Sequence, residues 1–262
     1  MPTVGQVAEV LEQLAPLALA EEWDNVGLLV GDVDWPADRV MTCLTVTPET
    51  VAEAITSQAQ LIVSHHPLPF RPIKSVTSAT TPGRLLLQLI RSSIAVYSPH
   101  TAFDSASAGI NQHLAIGLGL HEISPLAPSA GDAEVGVGRY GLAGEPLTLG
   151  ELAQRTKEFL GADAVRIVGE SDQAVDRVAI ACGSGGSLLE AAIAAGCDAL
   201  VTGELTFHAC LEAEARDVSI VLAGHFASER FALLSLADYL TDQLAGVQVW
   251  PSRAERDPLR LA

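Results

Sequence analysis

The sequence predicts an α/β protein built from two pseudo-symmetric lobes, each containing a mainly parallel sheet. Short apolar runs alternate with stretches rich in alanine and leucine, which is the pattern of strand–helix–strand units. A segment of the first half also recurs in the second half, in the same order, which favours an internal duplication. We place the two lobes at residues 1–125 and 126–262.

The elements of the first lobe follow from hydrophobic periodicity and helix-start signals. Apolar residues from Val4 to Leu14 have helical spacing, and Pro48 stands where proline commonly begins a helix. After the N-terminal helix we predict, in chain order, strand 39–46, helix 48–58, strand 60–64, helix 83–92 and strand 94–98.

In the second lobe, the Gly- and Pro-rich residues 124–146 are typical of a connector with short strands. An amphipathic helix follows, with Thr148 as its N-cap and Glu151 at the capping-box position. Residues 38–66 align without a gap to residues 176–204, and the strand and histidine of residues 94–104 resemble residues 219–229. Both similarities occur in the same order, which predicts two related lobes around a pseudo-twofold axis.

Composition narrows the classes of function. The formal net charge of −17, from 32 acidic and 15 basic residues, argues against binding to a nucleic-acid backbone. The four cysteines form no short disulfide framework, which suits a reducing compartment. Glu9 and Glu12 interrupt the N-terminal apolar run, so we expect neither a signal peptide nor a membrane span. These features predict a cytoplasmic protein for which nucleic acid is not the partner.

Histidines and carboxylates follow the predicted strands, where ligands bind in open α/β sheets. The set consists of His65, His66, His100, Asp104, Glu204, His225 and Glu229. His225 and Glu229 are four residues apart in a helical pattern, so both side chains lie on one face. His65 and His66 are adjacent, and in a regular strand they would point in opposite directions.

Imidazole and carboxylate ligands suit Zn, Fe, Mn or Co better than Ca or Mg. The opposed directions of His65 and His66 would let each serve one of two metals, bridged by a carboxylate such as that of Glu229. Each motif alone has an ordinary explanation: a loop pair, a solvated helix pair, or Asp104 as a helix cap. Together, at equivalent strand ends, they predict a metal site in the cleft between the lobes.

The glycines of "CGSGG", residues 182–186, lie between a predicted strand and helix. They could hold an anion on backbone N–H groups, or simply form a tight turn. The segment lacks the signatures of nucleotide-binding loops, and we assign no residue to an organic cofactor.

The ordered set "WDNVGLLVGD", "SHHP", "HTAFD", "CGSGG" and "GHFASE" resembles the NGG-interacting-factor-three-like family, also called GTP cyclohydrolase 1 type 2. The resemblance spans essentially the whole chain. It implies a dinuclear metal centre between two α/β lobes and a homohexamer built as a trimer of dimers. By motif, the implied metal ligands are His65, His66, Asp104, His225 and Glu229. Glu229 would bridge, with His65 and His225 on one metal and His66 and Asp104 on the other.

The resemblance also implies a metal-dependent hydrolase acting on a nucleotide or a related phosphorylated small molecule. His100 and Glu204 are the candidates for proton transfer. The alternative is a non-catalytic metal-binding or scaffold hexamer. Some relatives carry an inserted middle domain, for which this chain is too short, and an acidic residue is expected in place of Thr45 or Thr47.

Overall fold

The computed structural model describes residues 1–129 and 132–260, and the chain forms two compact units. Unit 1 contains Met1–Phe103 and the chain from Ala232 onward, whereas unit 2 contains Asp104–Phe231. Parallel strands occupy the centre of the main sheet in each unit, which confirms the predicted α/β fold class. The units have other bounds than the predicted lobes, 1–125 and 126–262, since the last strand of the chain pairs within the sheet of unit 1.

Unit 1 is built around a five-stranded sheet with the order β1-β4-β3-β2-β13. Its elements are α1 (Val4–Leu14), β1 (Gly27–Val30), β2 (Arg39–Cys43), α2 (Pro48–Thr56), β3 (Leu61–Ser64), α3 (Thr81–Arg91), β4 (Ala95–Ser98), α4 (His100–Ser105) and β13 (Gln248–Pro251). All neighbouring strands are parallel except β1 and β4, which are antiparallel.

The centre of the unit 1 sheet is buried on both faces, as expected for parallel strands covered by helices. Every residue of β3 and β4 is buried, so both strands appear in the sequence as apolar runs ending in serine. Thr47 caps α2 by accepting a hydrogen bond from the Thr50 backbone N–H, and Pro48 occupies the first turn. These local signals explain why helix α2 and strand β3 lie close to their predicted positions.

Unit 2 is built around a six-stranded sheet with the order β5-β8-β10-β11-β12-β9, beside a separate pair of strands, β6 and β7. Its elements are α5 (Ile110–Gly117), β5 (Leu120–Ser124), β6 (Ala127–Ser129), β7 (Asp132–Val137), β8 (Arg139–Thr148), α6 (Leu149–Leu160), β9 (Arg166–Val168), β10 (Ala174–Ser184), α7 (Leu189–Ala194), β11 (Ala199–Glu204), α8 (Phe207–Ala215), β12 (Ser219–Leu222) and the start of α9 (His225–Gln243), a helix that continues past Phe231, the last residue of the unit. Strands β10, β11 and β12 are parallel to one another, and the other pairings of this sheet are antiparallel.

The expected connector at residues 124–146 contains more regular structure than predicted. Strand β8 starts inside it and pairs with both β5 and β10, so it is an interior strand of the sheet. Buried Arg139, the first residue of β8, donates hydrogen bonds to the backbone carbonyls of Gly136, Gly138 and Ala106 at 2.7 Å. Residues 130 and 131 of this segment lie outside the described part of the chain.

The two units repeat one order of elements, which supports the predicted duplication. Unit 1 has the series α1-β1-β2-α2-β3-α3-β4-α4, and α6-β9-β10-α7-β11-α8-β12-α9 follows the same order. Even the strand register agrees with the alignment, because Val40 pairs with Leu61 as Val178 pairs with Ala199. Among the described residues, none belongs to a helix with the length and apolar character needed to cross a bilayer.

Candidate metal centre

Three imidazoles cluster beyond the ends of β3 and β4 in unit 1. His65 and His66 follow β3 directly, and His100 is the first residue of α4. Each ring offers a ligand nitrogen, and these three nitrogens lie within 4.8 Å of one another. His65 is fully buried, His100 is almost so, and His66 is partly exposed. The arrangement is dense enough to hold a cation.

The adjacent histidines do not diverge as they would in a regular strand. Strand β3 ends at Ser64, and the His65 and His66 rings then lie side by side with centroids 5.2 Å apart. Their backbone N–H groups still donate to the carbonyls of Cys43 and Leu44, at 3.0 and 2.9 Å. The opposed directions expected from strand geometry therefore do not occur, because the regular pleat stops one residue before the pair.

Thr45 orients the ring of His66. Its hydroxyl oxygen lies 2.8 Å from His66 Nδ1, so a cation at this site would be held by Nε2. The Thr45 backbone N–H in turn donates to the Glu255 carboxylate at 2.8 Å. Thr45 is one of the two positions at which an acidic residue was expected, and it supplies the hydrogen bond to the imidazole that such a residue would provide.

Asp24 orients the ring of His100, and sequence analysis missed it. Both carboxylate oxygens of Asp24 lie 2.8 Å from His100 Nδ1, and one also accepts hydrogen bonds from the backbone N–H and the hydroxyl of Thr101. The Asp24 side chain is only 1% exposed. Burial raises the pKa of Asp24, but the hydrogen bonds from His100 and Thr101 outweigh it and lower the pKa to about 2.

The backbone of His100 is strained. Its φ of +25° is a value that residues with a Cβ rarely adopt, and such strain is found at sites with a functional constraint. The hydrogen bond from His100 to Asp24 holds the ring despite this cost. A buried carboxylate bound to an imidazole is the arrangement that fixes tautomer and direction in metal-binding and catalytic histidines.

The candidate residues of unit 2 surround the end of β10. His225 Nε2 lies 3.1 Å from Glu229 Oε2, as their spacing on α9 predicts, and His225 Nδ1 lies 3.0 Å from Glu204 Oε1 at the end of β11. The hydrogen bond to Glu229 raises the pKa of His225 to about 9; burial opposes the shift, and Glu204 adds to it. Glu204 therefore contacts His225 directly and is half exposed.

Asp104 belongs to the same group in unit 2. Burial, followed by the negative charges of Asp104 and Glu229, raises the pKa of the Cys182 thiol well above its usual value. The Asp104 carbonyl accepts a hydrogen bond from the Asn111 side chain, whose oxygen accepts from the Cys182 backbone N–H at 2.8 Å. Three carboxylates, of Asp104, Glu204 and Glu229, and the imidazole of His225 thus lie near one strand end.

Glycines make room for these side chains. Gly183 has a φ of +65°, and a Cβ at this position would overlap Glu229 Oε1 and lie 3.4 Å from His225 Nε2. A Cβ at Gly185 would meet the Thr202 hydroxyl. Gly183 and Gly185 therefore have a steric reason, whereas a Cβ at Gly186 would make only an ordinary contact with Leu205 at 3.9 Å. The short helix α7 begins only at Leu189. An anion site there stays a prediction.

Each unit thus gathers its own share of the predicted residues. Unit 1 brings together His65, His66 and His100, and unit 2 brings together Asp104, Glu204, His225 and Glu229. These buried histidine and glutamate groups can bind metal ions, and the mixture of imidazole and carboxylate suits transition metals. Their assignment as ligands of two ions stays a prediction.

Comparisons with known proteins agree on one family. The family model of Duf34/NIF3 (NGG1p interacting factor 3) matches residues 2–258. The "GTP cyclohydrolase 1 type 2 homolog" of Streptomyces coelicolor is 39% identical, over 87% of this chain and 82% of the relative. The "Protein NIF3 homolog" of Schizosaccharomyces pombe is 35% identical, over 86% and 84%. A Staphylococcus aureus hypothetical protein, SA1388, has a similar crystal structure: TM-score 0.90, 28% identity, 100% of both chains. The chain belongs to the Duf34/NIF3 family.

Proposed function

We propose that this chain is a metal-dependent hydrolase that acts on a nucleotide or a related phosphorylated small molecule. The observation that carries the proposal is the cluster of three imidazoles with ligand nitrogens within 4.8 Å of one another. Contacts to Nδ1 orient two of these rings: the Thr45 hydroxyl holds His66, and the Asp24 carboxylate holds His100. Metal sites commonly have such hydrogen bonds, which fix the tautomer and direction of the imidazole ligands.

The proposed centre holds two divalent cations per chain (Zn, Fe, Mn or Co). Its ligands would be His65, His66, Asp104, His225 and Glu229. The support comes from each unit separately: buried imidazoles in unit 1, and the His225–Glu229 pair with nearby Asp104 in unit 2. Steric room for the Glu229 carboxylate, provided by Gly183, fits a role that requires exact placement.

The proposed reaction is hydrolysis of the GTP cyclohydrolase 1 type 2 kind, as the names of several relatives suggest. When bound, cations of this type polarise substrate oxygens and make water a nucleophile near neutral pH. His100 would move a proton at Nε2, because Asp24 holds its Nδ1. Glu204 would hold His225 in position through Nδ1 and, being half exposed, exchange protons with solvent.

We further propose that the protein is cytoplasmic and forms a homohexamer, a trimer of dimers. The family resemblance supports the assembly. The net charge of −17 per chain supports a small-molecule substrate over nucleic acid.

The test is turnover by metal-loaded protein incubated with GTP and a panel of other nucleotides. We expect hydrolysis by the wild-type chain and its loss in His66→Ala, which removes an oriented imidazole. Equal turnover by both proteins would identify a contaminant and refute the assignment. Full metal occupancy without turnover of any nucleotide would favour the alternative, a non-catalytic metal-binding or scaffold hexamer.

A further inference from the structure

Two large aromatic rings are exposed beside the imidazole cluster of unit 1. Trp23 is 64% exposed and Phe70 is 50% exposed, and their ring centroids are 6.1 Å apart. Both rings contact His100, with centroid distances of 6.2 Å for Trp23 and 5.9 Å for Phe70. Exposed aromatic surface next to converging polar groups is characteristic of a ligand site.

The backbone on both sides of this pair is held in place. The Asn25 side-chain amide donates a hydrogen bond to the Pro69 carbonyl at 2.8 Å, which joins the segment of Trp23 to that of Phe70. Between Trp23 and Asn25 stands Asp24, which is buried and accepts hydrogen bonds from His100 and Thr101. A site that is ordered before binding loses little conformational entropy when a ligand arrives.

The geometry of the rings restricts how a ligand can bind. The planes of Trp23 and Phe70 are inclined at 56°, and a centroid separation of 6.1 Å leaves no space for a third ring between them. His100 meets both rings edge-on, at interplanar angles of 80° and 77°. A ligand would therefore contact the exposed surface of the two aromatic rings and not a space between them, which favours a flat ligand that stacks.

We propose that Trp23 and Phe70 form a platform on which a planar heteroaromatic ring of the nucleobase class stacks, beside His100. Stacking uses the aromatic faces, and His100, which contacts both rings, offers its Nε2 as a hydrogen-bond partner to a nitrogen or oxygen atom of such a ring. This assignment rests on the proposed function and specifies the part of the substrate that the chain recognises. A contact with a second copy of this chain would cover the same exposed rings. Such a contact is less favourable, because it would also bury the polar imidazole cluster beside apolar side chains.

The experiment measures binding of GTP, guanosine and inorganic triphosphate to the full-length protein by calorimetry, in metal-loaded and metal-free forms. The variants are Trp23→Leu and Phe70→Leu, with Phe207→Leu as the matched control. Phe207 is 72% exposed and lies on α8, in the other unit. Since both platform residues are exposed, their replacement leaves the core intact, which circular dichroism checks.

We expect either platform variant to weaken binding of GTP and guanosine about fivefold to 100-fold, as measured for loss of base–aromatic stacking. The platform variants should keep the wild-type affinity for inorganic triphosphate. Phe207→Leu should keep the wild-type affinity for all three ligands. Unchanged guanosine affinity in both platform variants, or no guanosine binding by the wild-type chain, overturns the proposal. A change in the mass of the Trp23→Leu assembly, measured by sedimentation, together with unaltered guanosine affinity would also overturn the proposal. The rings would then belong to a contact between subunits.

The metal-free arm separates this proposal from the proposed function. Metal content by elemental analysis reports on the centre alone. Loss of guanosine binding in Trp23→Leu, together with a wild-type chain that takes up no metal by elemental analysis, would support the platform while refuting the metal-dependent hydrolase. Full metal occupancy with unaltered guanosine affinity in both variants would refute the platform while leaving the metal centre supported.

Discussion

Substitution of Gly183 by alanine tests whether the placement of Glu229 governs metal binding. Gly183 has a φ of +65°; Gly196, in the same unit, has a φ of +67°, and a Cβ added there would have no neighbour within 4 Å. The left-handed conformation costs alanine about 1–2 kcal/mol at either position. Backbone strain should therefore destabilise both variants by a similar amount, and any additional loss in Gly183→Ala, measured by urea unfolding of the metal-free protein, reports displacement of Glu229.

Only at Gly183 does the added Cβ overlap Glu229 Oε1. Displacement of that carboxylate should weaken metal binding at least about 10–100-fold, the range found when a residue that only orients a metal ligand is replaced. At about 1.4 kcal/mol for each factor of ten, this corresponds to about 1.4–2.8 kcal/mol of binding free energy.

The assay is competition for zinc with a chelator of known affinity, applied to the wild-type chain, Gly183→Ala and Gly196→Ala. We expect weakened binding in Gly183→Ala alone. Wild-type affinity in Gly183→Ala would refute the reasoning that Glu229 must occupy its present position. Equal losses in both variants would show that backbone strain, and not displacement of Glu229, is the cause.

Three other predictions follow from buried polar groups. Asp24→Asn should lower nucleotide turnover about 10–100-fold, because a neutral amide replaces the carboxylate that orients His100; unchanged turnover would contradict this. The raised pKa of His225, about 9, stabilises the metal-free fold fully below the ordinary pKa of 6.5, and this contribution is lost as pH rises through about 9. Urea unfolding should show that loss relative to His225→Gln, and parallel pH profiles of the two proteins would refute it. Arg139→Leu should cost about 3 kcal/mol or more of unfolding free energy, since several buried carbonyls lose their donor. Arg155→Leu, which breaks a surface ion pair, should cost under about 1 kcal/mol, and equal effects of the two would refute the argument.

Local signals were sufficient to predict much of the fold. Strand β3 and helix α2 lie close to their predicted positions because an apolar run, a capping threonine and Pro48 all act within a few residues. The aligned repeat was also informative, since it reproduces the register of two parallel strand pairs. Strand β8 was missed in part because its glycines and proline are typical of loops, whereas its position between β5 and β10 depends on pairing with distant segments.

The candidate site was predictable where spacing along one element decides proximity. His225 and Glu229 are four residues apart on α9, and their side chains meet as expected. Asp24 could not be found in this way, because its partner His100 is 76 residues away in sequence. Likewise, the pairing of β13 with β2 joins opposite ends of the chain, and no local pattern in Gln248–Pro251 indicates which strand it contacts.

The most direct test of the account is the amount of metal bound by each chain. Elemental analysis of the purified wild-type protein should give about two divalent ions per chain, and Glu229→Gln should retain about one or fewer, since a bridging carboxylate serves both ions. Gln keeps the size of the side chain, so the fold should persist. An unchanged stoichiometry in Glu229→Gln, or a wild-type chain that binds no divalent metal, would contradict the central claim.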